Sequence, residues 1–176
     1  NKMTKIYLAT SVSGVKDKFS LWDSRVISEA IKKYGDIIDS HVVREDVFAW
    51  EESWAKQEIK AGREPNVYLR DVSWLDQSDF LIVHANPSFG VGYEVGHALH
   101  KTKIPTLILH RSDFSSKIAT QLKNPLATVK SYNEHSELEK IINDFFYFPE
   151  QQGRIFTFEG GDGAGKQTQT KLLVER

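Results

Sequence analysis

Residues 80–100 read FLIVHANPSFGVGYEVGHALH, and the order of elements within them decides the fold. The apolar run at 80–85 is typical of a buried strand, and the spacing of apolar residues at 91–101 predicts a helix. Between them lies a turn of small residues. A strand that passes through such a turn directly into a helix is typical of a sheet built from parallel strands.

The same alternation of strand and helix extends over residues 5–147. Short runs rich in β-branched residues predict further strands at 5–10, 36–43, 105–110 and 127–132. Apolar residues three or four positions apart predict helices at 20–34, 46–61, 66–77, 91–101, 115–123 and 136–147. The sequence therefore predicts an α/β fold with a five-stranded parallel sheet covered on both faces. Because ligands of such sheets bind at the carboxyl ends of the strands, we expect function just after Thr10, Val43, Ala85 and His110.

The composition is that of an ordinary soluble domain. Hydrophobic residues make up 40% of the 176 and charged residues 27%, with 23 basic against 24 acidic side chains, so we expect no nucleic-acid or membrane partner. The absence of cysteine excludes disulfides and thiolate zinc sites. No apolar run reaches the roughly 18–20 residues that span a bilayer, and the start NKMTK lacks the apolar core of a signal peptide. We expect one main domain at residues 1–148 and a cytoplasmic protein.

The turn after the strand at 80–85 is a candidate phosphate site. Ser88, Gly90 and Gly92 allow backbone amides to approach an anion, the serine hydroxyl can donate, and the positive end of the following helix adds to both. The alternative is that the glycines only close a tight turn. The spacing alone is compatible with both interpretations.

Two carboxylates give this turn a chemical interpretation. Glu94 stands near the start of the predicted helix, where it can touch a sugar whose phosphate the turn holds and attack an anomeric carbon. Asp71 lies in the helix that leads into the same strand and can reach the same pocket, whereas Asp76 and Asp79 are expected to face solvent or end the helix. Two carboxylates that flank a glycosidic bond suit retaining cleavage, because one forms a covalent glycosyl-enzyme and the other handles protons. The alternative for Glu94 is a dipole partner in the first turn of a helix.

The loop after the first strand offers further polar groups. Ser11, Ser13 and Gly14 follow the strand that contains Tyr7, and they are candidate partners of a phosphate or a carboxylate. The alternative is a Ser-rich polar turn. Strand alternation leaves open which face of the sheet Tyr7 occupies.

Four stretches carry a resemblance to a known family: IYLATSVSG (6–14), SHV (40–42), RDVSWLDQSDFLIV (70–83) and PSFGVGYEVGHA (87–98). Over roughly residues 5–147, the chain resembles the 2'-deoxynucleoside 5'-monophosphate N-hydrolases, which are relatives of the nucleoside 2-deoxyribosyltransferases. The resemblance implies a homodimer with a flavodoxin-like or Rossmann-like doubly wound sheet and a small nucleotide substrate. It also implies that Glu94 attacks the anomeric carbon of deoxyribose and that Asp71 donates a proton to the leaving base.

The resemblance assigns roles to other residues as well. Tyr7 matches a tyrosine that lies against the nucleophile, and His41 matches a histidine that lines the base pocket. The positions that match phosphate contacts are Ser11, Ser88, Gly90 and Gly92. No cofactor and no metal are implied for the hydrolysis.

Two positions depart from the family pattern. Members commonly have an arginine and a second glycine after the first-loop serine, where this chain has Ser13 and, after Gly14, Val15. Members also take a hydroxyl from the neighbouring subunit for phosphate binding. The matching position here is Ala119, and the hydroxyls that could replace it are those of Ser115, Ser116 and Thr120.

A second motif lies near the end of the chain. GGDGAGK at 160–166 follows the strand-like run IFTFE and fits the G-x-x-x-x-G-K pattern of a P-loop, in which backbone amides hold phosphates and Lys166 reaches the terminal ones. The predicted phosphate-binding residues are Gly160, Gly161, Asp162, Gly163, Ala164, Gly165, Lys166, Gln167 and Thr168. FEGGDGAGKQTQTKLL resembles the start of thymidylate kinases, so we expect an N-terminal kinase fragment at 154–176 after a linker at 149–153.

The kinase fragment is not expected to work alone. Gln167 stands where P-loops usually carry the hydroxyl that binds magnesium, although Thr168 could replace it. The sequence ends ten residues after Lys166. ATP and Mg²⁺ are therefore expected only for a complete kinase.

Two other functions stay open beside the hydrolase. Transferases of this fold typically carry an Asp-Ser/Thr-Gly-Thr run before the nucleophile, whereas this chain has PSFGVGYE, which favours a hydrolase that acts on monophosphates over a deoxyribosyltransferase. The third hypothesis is a non-catalytic nucleotide-binding or dimerisation module that regulates the attached kinase.

Two further patterns are given less functional weight. His97 and His100 share a helix face, but no third ligand stands at a confirming spacing, so we expect no metal site. The helix around VFAWEESWAKQEIK is predicted to be a packing element with a solvated face. Its alternative is a lid in which Trp50 or Trp54 stacks on a base.

Overall fold

The computed structural model describes residues 3–11, 18–86, 88–114 and 116–147. These ranges include the whole of the predicted sheet. Ser13 and Gly14 of the predicted site, the linker at 149–153 and the P-loop segment at 154–176 lie outside the described residues.

Five parallel strands form one sheet in the described part of the chain. Their bounds are β1 Lys5–Ala9, β2 Asp36–Ile37, β3 Phe80–His84, β4 Thr106–Arg111 and β5 Ala127–Tyr132. The spatial order is β2-β1-β3-β4-β5, and each neighbouring pair runs parallel. This is the strand order of flavodoxin-like doubly wound sheets. The predicted α/β class and its five parallel strands are confirmed.

Helices connect the strands. Their bounds are α1 Lys18–Ile31, α2 Val47–Lys60, α3 Val67–Asp76, α4 Phe89–His97, α5 Lys117–Thr120 and α6 His135–Tyr147. A 3-10 turn at Ser40–Val43 follows β2, and a π-helical turn at Ala98–Thr102 extends α4. Within the described ranges, no helix is long and apolar enough to cross a membrane.

Two apolar clusters hold the helices against the two faces of the sheet. Ile6 and Leu8 of β1 pack with α1 and α6, whereas Tyr7 and Ala9 pack with α3 and α4. Successive side chains of a strand point to opposite faces, which explains the division. Tyr7 therefore lies on the face of α3 and α4, an assignment that the sequence left open.

The second strand is shorter than predicted. The pattern at 36–43 predicted one strand, but β2 ends at Ile37 and Ser40–Val43 form a 3-10 turn. The Asp39 carboxylate accepts the N–H of Leu8 at 2.9 Å, so a side chain takes the place of the next backbone partner of β1. The apolar pattern of this segment could not show that a side chain replaces a backbone partner. Function was expected just after Val43, but His41, the residue that lines the cavity, lies within the 3-10 turn.

Helix α4 begins earlier than predicted. It starts at Phe89, so Gly90 and Gly92 are helical and do not belong to a turn. Ser88 precedes the helix, and its hydroxyl accepts the N–H of Val91 at 3.4 Å, which satisfies a donor that the first turn leaves without a helical partner. Each glycine in a helix costs about 1 kcal/mol of stability relative to alanine. The Ser88 cap and the packing of α4 offset this cost.

Lys103 adopts a left-handed backbone conformation, with φ 57° and ψ 50°, directly after the π-helical turn. A Cβ atom is strained in this conformation and glycine is not. We expect Lys103→Gly to raise the free energy of unfolding by about 0.5–1 kcal/mol. The matched control is Lys101→Gly, two residues earlier, which should lower it by about 1 kcal/mol because the backbone there is helical. Urea unfolding measures both, and a loss of stability in both variants would contradict the strain.

Candidate active site

The cavity at the carboxyl edge of β1 and β3 holds most of the predicted site. The strand order reverses between these two strands, and ligands of open α/β sheets bind at such a reversal. The cavity has a volume of about 240 Å³. The predicted site residues that line it are Tyr7, Ser11, His41, Asp71, Ser88, Gly90 and Glu94. The fold therefore gathers side chains from four separate segments of the chain.

A hydrogen bond joins Tyr7 to Glu94. The Tyr7 hydroxyl, on β1, donates to Oε1 of Glu94, on α4, at 2.7 Å. The tyrosine side chain is held in the apolar cluster between the sheet and α4, so its hydroxyl has a fixed position. The contact orients the Glu94 carboxylate and leaves its second oxygen for another partner.

Glu94 lies in the second turn of α4, because the helix begins at Phe89. The alternative that it only pairs with the helix dipole, which needs a first-turn position, does not apply. Burial raises the pKa of Glu94 to about 7; the hydrogen bond from Tyr7 opposes the rise and the nearby Asp71 carboxylate adds to it. A carboxyl group that exchanges its proton near neutral pH inside a cavity is a candidate for catalysis.

Asp71 is the second carboxylate of the cavity. Its Oδ1 accepts a hydrogen bond of 2.8 Å from Nε of Arg70. Burial raises the pKa of Asp71, and the hydrogen bond and charge of Arg70 offset part of that rise. Two carboxyl groups on α3 and α4 thus share one cavity, and in each a hydrogen bond, from Arg70 to Asp71 and from Tyr7 to Glu94, opposes the rise in pKa that burial causes.

Asp39 is a third acidic residue of the cavity, and the sequence interpretation did not single it out. Its side chain is 1% exposed, and its Oδ2 has no hydrogen-bond partner within the described ranges. Burial raises the pKa of Asp39 well above its ordinary value. An acidic residue inside the apolar pattern DIIDSHVV was the available signal, since a charge in a buried strand calls for an explanation.

Arg70 and Glu51 form an ion pair in the wall of the cavity. Two guanidinium nitrogens of Arg70 donate to the two carboxylate oxygens of Glu51, at 2.7 and 2.8 Å. Glu51 Oε1 also lies 3.1 Å from Nε2 of His41. Burial and the charge of Arg70 lower the pKa of His41. The sequence interpretation named His41 but missed this pair, because its partners lie on different helices.

Trp50 and Trp54 pack inside this wall and do not line the cavity. The His41 ring stacks on Trp50 with centroids 4.0 Å apart, and Arg70 lies over the rings of both tryptophans. These contacts favour the packing role of the helix over a base-stacking lid.

A buried polar network lies behind the first loop. Thr10 contacts Ser24 at 2.9 Å, Ser24 contacts Nδ1 of His84 at 2.8 Å, and Nε2 of His84 contacts the Tyr132 hydroxyl at 3.0 Å. Tyr132 in turn donates to Asp23 at 2.7 Å. Burial lowers the pKa of His84 to about 4, so this ring is neutral near pH 7. The network fixes Thr10, the residue before Ser11 of the cavity.

A second cavity, of about 480 Å³, lies on the other side of α4. Gly92 lines this cavity and not the first, and its N–H is bonded to the carbonyl of Ser88 at 3.2 Å. Ala119 and Ser116 also line it. Most of its other walls are apolar, and Ile118 beside it is 85% exposed.

The two helical histidines have different surroundings. His97 is buried and contacts Asp76, the last residue of α3, at 2.6 Å, whereas His100 is exposed. In the part of the chain that the structure describes, no group of three or more metal-ligating side chains converges. Asp79 accepts the N–H of Lys5 at the start of β1 at 2.9 Å.

Comparison with known proteins identifies relatives over most of the chain. No family model matches it. A Methanosarcina mazei protein that carries the name 2'-deoxynucleoside 5'-phosphate N-hydrolase 1 is 35% identical over 144 residues, which cover 80% of this chain and 82% of that protein. The 5-hydroxymethyl-dUMP N-hydrolase of Danio rerio is 31% identical over 147 residues, covering 80% and 94%. The Mus musculus protein of the same name is 29% identical over 152 residues, covering 82% of each chain.

We expect Glu94→Gln to stabilise the protein at pH 8 and to change stability little near pH 5. Because the pKa of Glu94 is raised from 4.5 to about 7, the folded state binds more protons than the unfolded state between these values, so stability falls as the pH rises. The glutamine side chain does not titrate, so the variant avoids this loss in the free energy of unfolding, which is about 1–3 kcal/mol at pH 8. Urea unfolding at both pH values measures it.

The matched control for this measurement is Glu52→Gln, which makes the same change on an exposed face of α2. Glu52 pairs with Lys56 at 2.8 Å, and such surface pairs contribute about 0–1 kcal/mol. This control should not stabilise the protein at pH 8. A Glu94→Gln variant no more stable than the parent at pH 8 would contradict the raised pKa.

Proposed function

This chain belongs to the family of 2'-deoxynucleoside 5'-phosphate N-hydrolases, and we propose that it hydrolyses the N-glycosidic bond of a 2'-deoxynucleoside 5'-monophosphate. The products are the free base and deoxyribose 5-phosphate. The observation that carries the proposal is the partly buried Tyr7–Glu94 pair, which shares one cavity with Asp71 and Ser88. The relatives named as hydrolases of such nucleotides support the substrate class.

In the proposed first step, the ionised Glu94 carboxylate attacks C1' of deoxyribose. The C1'–N bond breaks, its electron pair goes to the base, and Asp71 supplies the proton that the base takes away. Tyr7 holds Oε1 of Glu94, so Oε2 is the attacking oxygen. The result is a deoxyribosyl ester of Glu94.

In the second step, water attacks C1' while Asp71, now ionised, accepts a proton from it. The ester bond breaks and Glu94 leaves as a carboxylate, which the hydrogen bond from Tyr7 stabilises. Water and carboxyl groups carry both steps, so we propose that the hydrolysis uses no cofactor and no metal.

We propose that the start of α4 and the loop after β1 hold the 5'-phosphate. Ser88 caps α4, and Gly90 in the first helical turn leaves room for an anion near the backbone amides. Ser11 lines the same cavity from the chain just after β1. Ser13 and Gly14 are candidates by sequence alone, and His41 is proposed to line the base pocket.

We propose that a second copy of the chain covers the apolar cavity beside α4. Its walls are mostly apolar, and one of the residues that line it, Ile118, is 85% exposed. Exposed apolar surface of this kind favours association. The segment that contains Ala119 would then lie at the subunit interface.

We also propose, from sequence alone, that residues 154–176 begin a P-loop domain related to thymidylate kinases. The support is the run Gly160–Lys166 directly after IFTFE. Removal of noncanonical deoxynucleotides by the first domain would then precede phosphorylation by a complete kinase that binds ATP and Mg²⁺.

We expect release of free base from a panel of deoxynucleoside monophosphates, and its loss in Glu94→Gln. The amide cannot attack C1' as a carboxylate does, so the rate should fall at least about 1,000-fold. Chromatography detects the base, and a 2'-deoxy-2'-fluoroarabinosyl nucleotide should add its sugar phosphate to the Glu94 peptide in a mass spectrum. The matched control is Glu52→Gln, which should keep the parent rate.

The alternatives give other outcomes in the same assay. Exchange of an added free base into the nucleotide would favour a deoxyribosyltransferase. Nucleotide binding without base release would contradict the hydrolase and favour a non-catalytic regulatory module.

We expect Ile118→Glu to convert a dimer to a monomer, because a charge placed in an apolar interface is costly to bury. Light scattering after gel filtration measures the mass. The matched control is Ile59→Glu, which should leave the dimer intact. Ile59 is an exposed apolar residue on α2 and does not line this cavity. A monomeric parent chain at micromolar concentration would contradict the proposal.

A further inference from the structure

Arg70 uses three of its hydrogen-bond donors on two carboxylates. Nε donates to Oδ1 of Asp71, and the two terminal nitrogens donate to the two oxygens of Glu51, all at 2.7–2.8 Å. The Arg70 side chain is 7% exposed and lines the catalytic cavity. A buried guanidinium with this many partners has little freedom to rotate.

Three tryptophan rings restrict the same guanidinium. Its central carbon lies 4.4 Å from the ring centre of Trp54, 4.9 Å from that of Trp74 and 5.4 Å from that of Trp50. Cations bind favourably over such rings, and the planar guanidinium packs there better than an ammonium group. Helices α2 and α3 therefore hold Arg70 from several sides, and Arg70 holds Asp71.

This arrangement gives the two oxygens of Asp71 different surroundings. Oδ1 is bonded to Arg70, while Asp71 also borders the cavity. We propose that Arg70 is a positioning residue for proton transfer: it fixes Oδ1 of Asp71 so that Oδ2 faces the leaving base, with Glu51 and the tryptophans holding Arg70 in place. The inference rests on the proposed function and goes beyond it, because it assigns a role to a residue that need not touch the substrate.

The charge of Arg70 also acts on the proton of Asp71. Burial raises the pKa of Asp71, and Arg70 opposes that rise. The ionisable groups near Asp71 from other elements are Glu51 on α2, Glu94 on α4, Tyr7 on β1 and Asp39 after β2. All of these are acidic, so removal of Arg70 should let Asp71 keep its proton to higher pH. When a general acid keeps its proton to higher pH, the descending limb of the pH profile moves to higher pH.

We expect Arg70→Met to lower kcat for base release by about 10- to 100-fold, because the acid loses its fixed position. The KM should change less than twofold. The descending limb of the profile of kcat/KM against pH should move to higher pH, because Arg70 lowers the pKa of Asp71. Arg70→Lys should lower kcat similarly but move the limb less, since it retains a positive charge and loses the forked geometry.

The matched control is Arg63→Met. Arg63 donates to both oxygens of Glu58 at 2.6 and 2.7 Å, so it makes a comparable forked pair just after α2, but its side chain is 62% exposed. This control should keep the parent kcat and pH profile. Circular dichroism shows whether Arg70→Met folds, and if it does not, Arg70→Lys carries the same measurement. Glu51→Gln should also lower kcat but should move the descending limb to lower pH, because the Glu51 charge raises the pKa of Asp71.

Three outcomes would overturn the inference. A parent-like kcat in the folded Arg70 variants excludes a positioning role. A loss of kcat with an unmoved descending limb in Arg70→Met indicates a structural role only. A parent chain that releases no base contradicts the proposed hydrolase as well, whereas an active parent with unaffected Arg70 variants contradicts this inference alone.

Discussion

The reversal of strand order between β1 and β3 is the constraint on which the site depends. The chain leaves these neighbouring parallel strands towards opposite faces of the sheet, and a crevice opens between their carboxyl ends. Ser11 extends from one strand, and Ser88 with Glu94 follows the other. Helix α3 leads into β3 and brings Asp71 to the same edge. One topological feature thus unites residues that lie up to 87 positions apart, as Tyr7 and Glu94 do.

Burial of acidic groups sets the chemistry of this crevice. Asp39, Asp71 and Glu94 all border it, and burial raises the pKa of each. Donors from Tyr7 and Arg70 offset part of the cost of removing the carboxylates from water. The rest of this free-energy cost is offset by burial of apolar side chains in the two clusters on the faces of the sheet. Such a division between a stabilising scaffold and a destabilised site is common in enzymes.

The sequence predicted the features that follow from local pattern. Apolar runs located all five strands, and the motif around Ser88 and Glu94 located the cavity, because strand, turn and helix are adjacent in the chain. Prediction from sequence failed where a side chain replaces a backbone hydrogen-bond partner, as the Asp39 carboxylate does for the N–H of Leu8. It also missed the pairing of Arg70 with Glu51, which lie 19 positions apart on different helices. Such pairs depend on helix packing, which periodicity does not specify.

The early end of β2 has a consequence for the protein's behaviour at high concentration. β2 and β5 are the two edges of the described sheet, and an open edge can recruit a strand from another chain and start aggregation. β2 provides only two residues for such pairing, and β5 carries the exposed Lys130. Short strands and lysines at edges disfavour this growth. Asp39, by ending the strand, therefore shortens the edge at which intermolecular sheets could nucleate while it shapes the cavity.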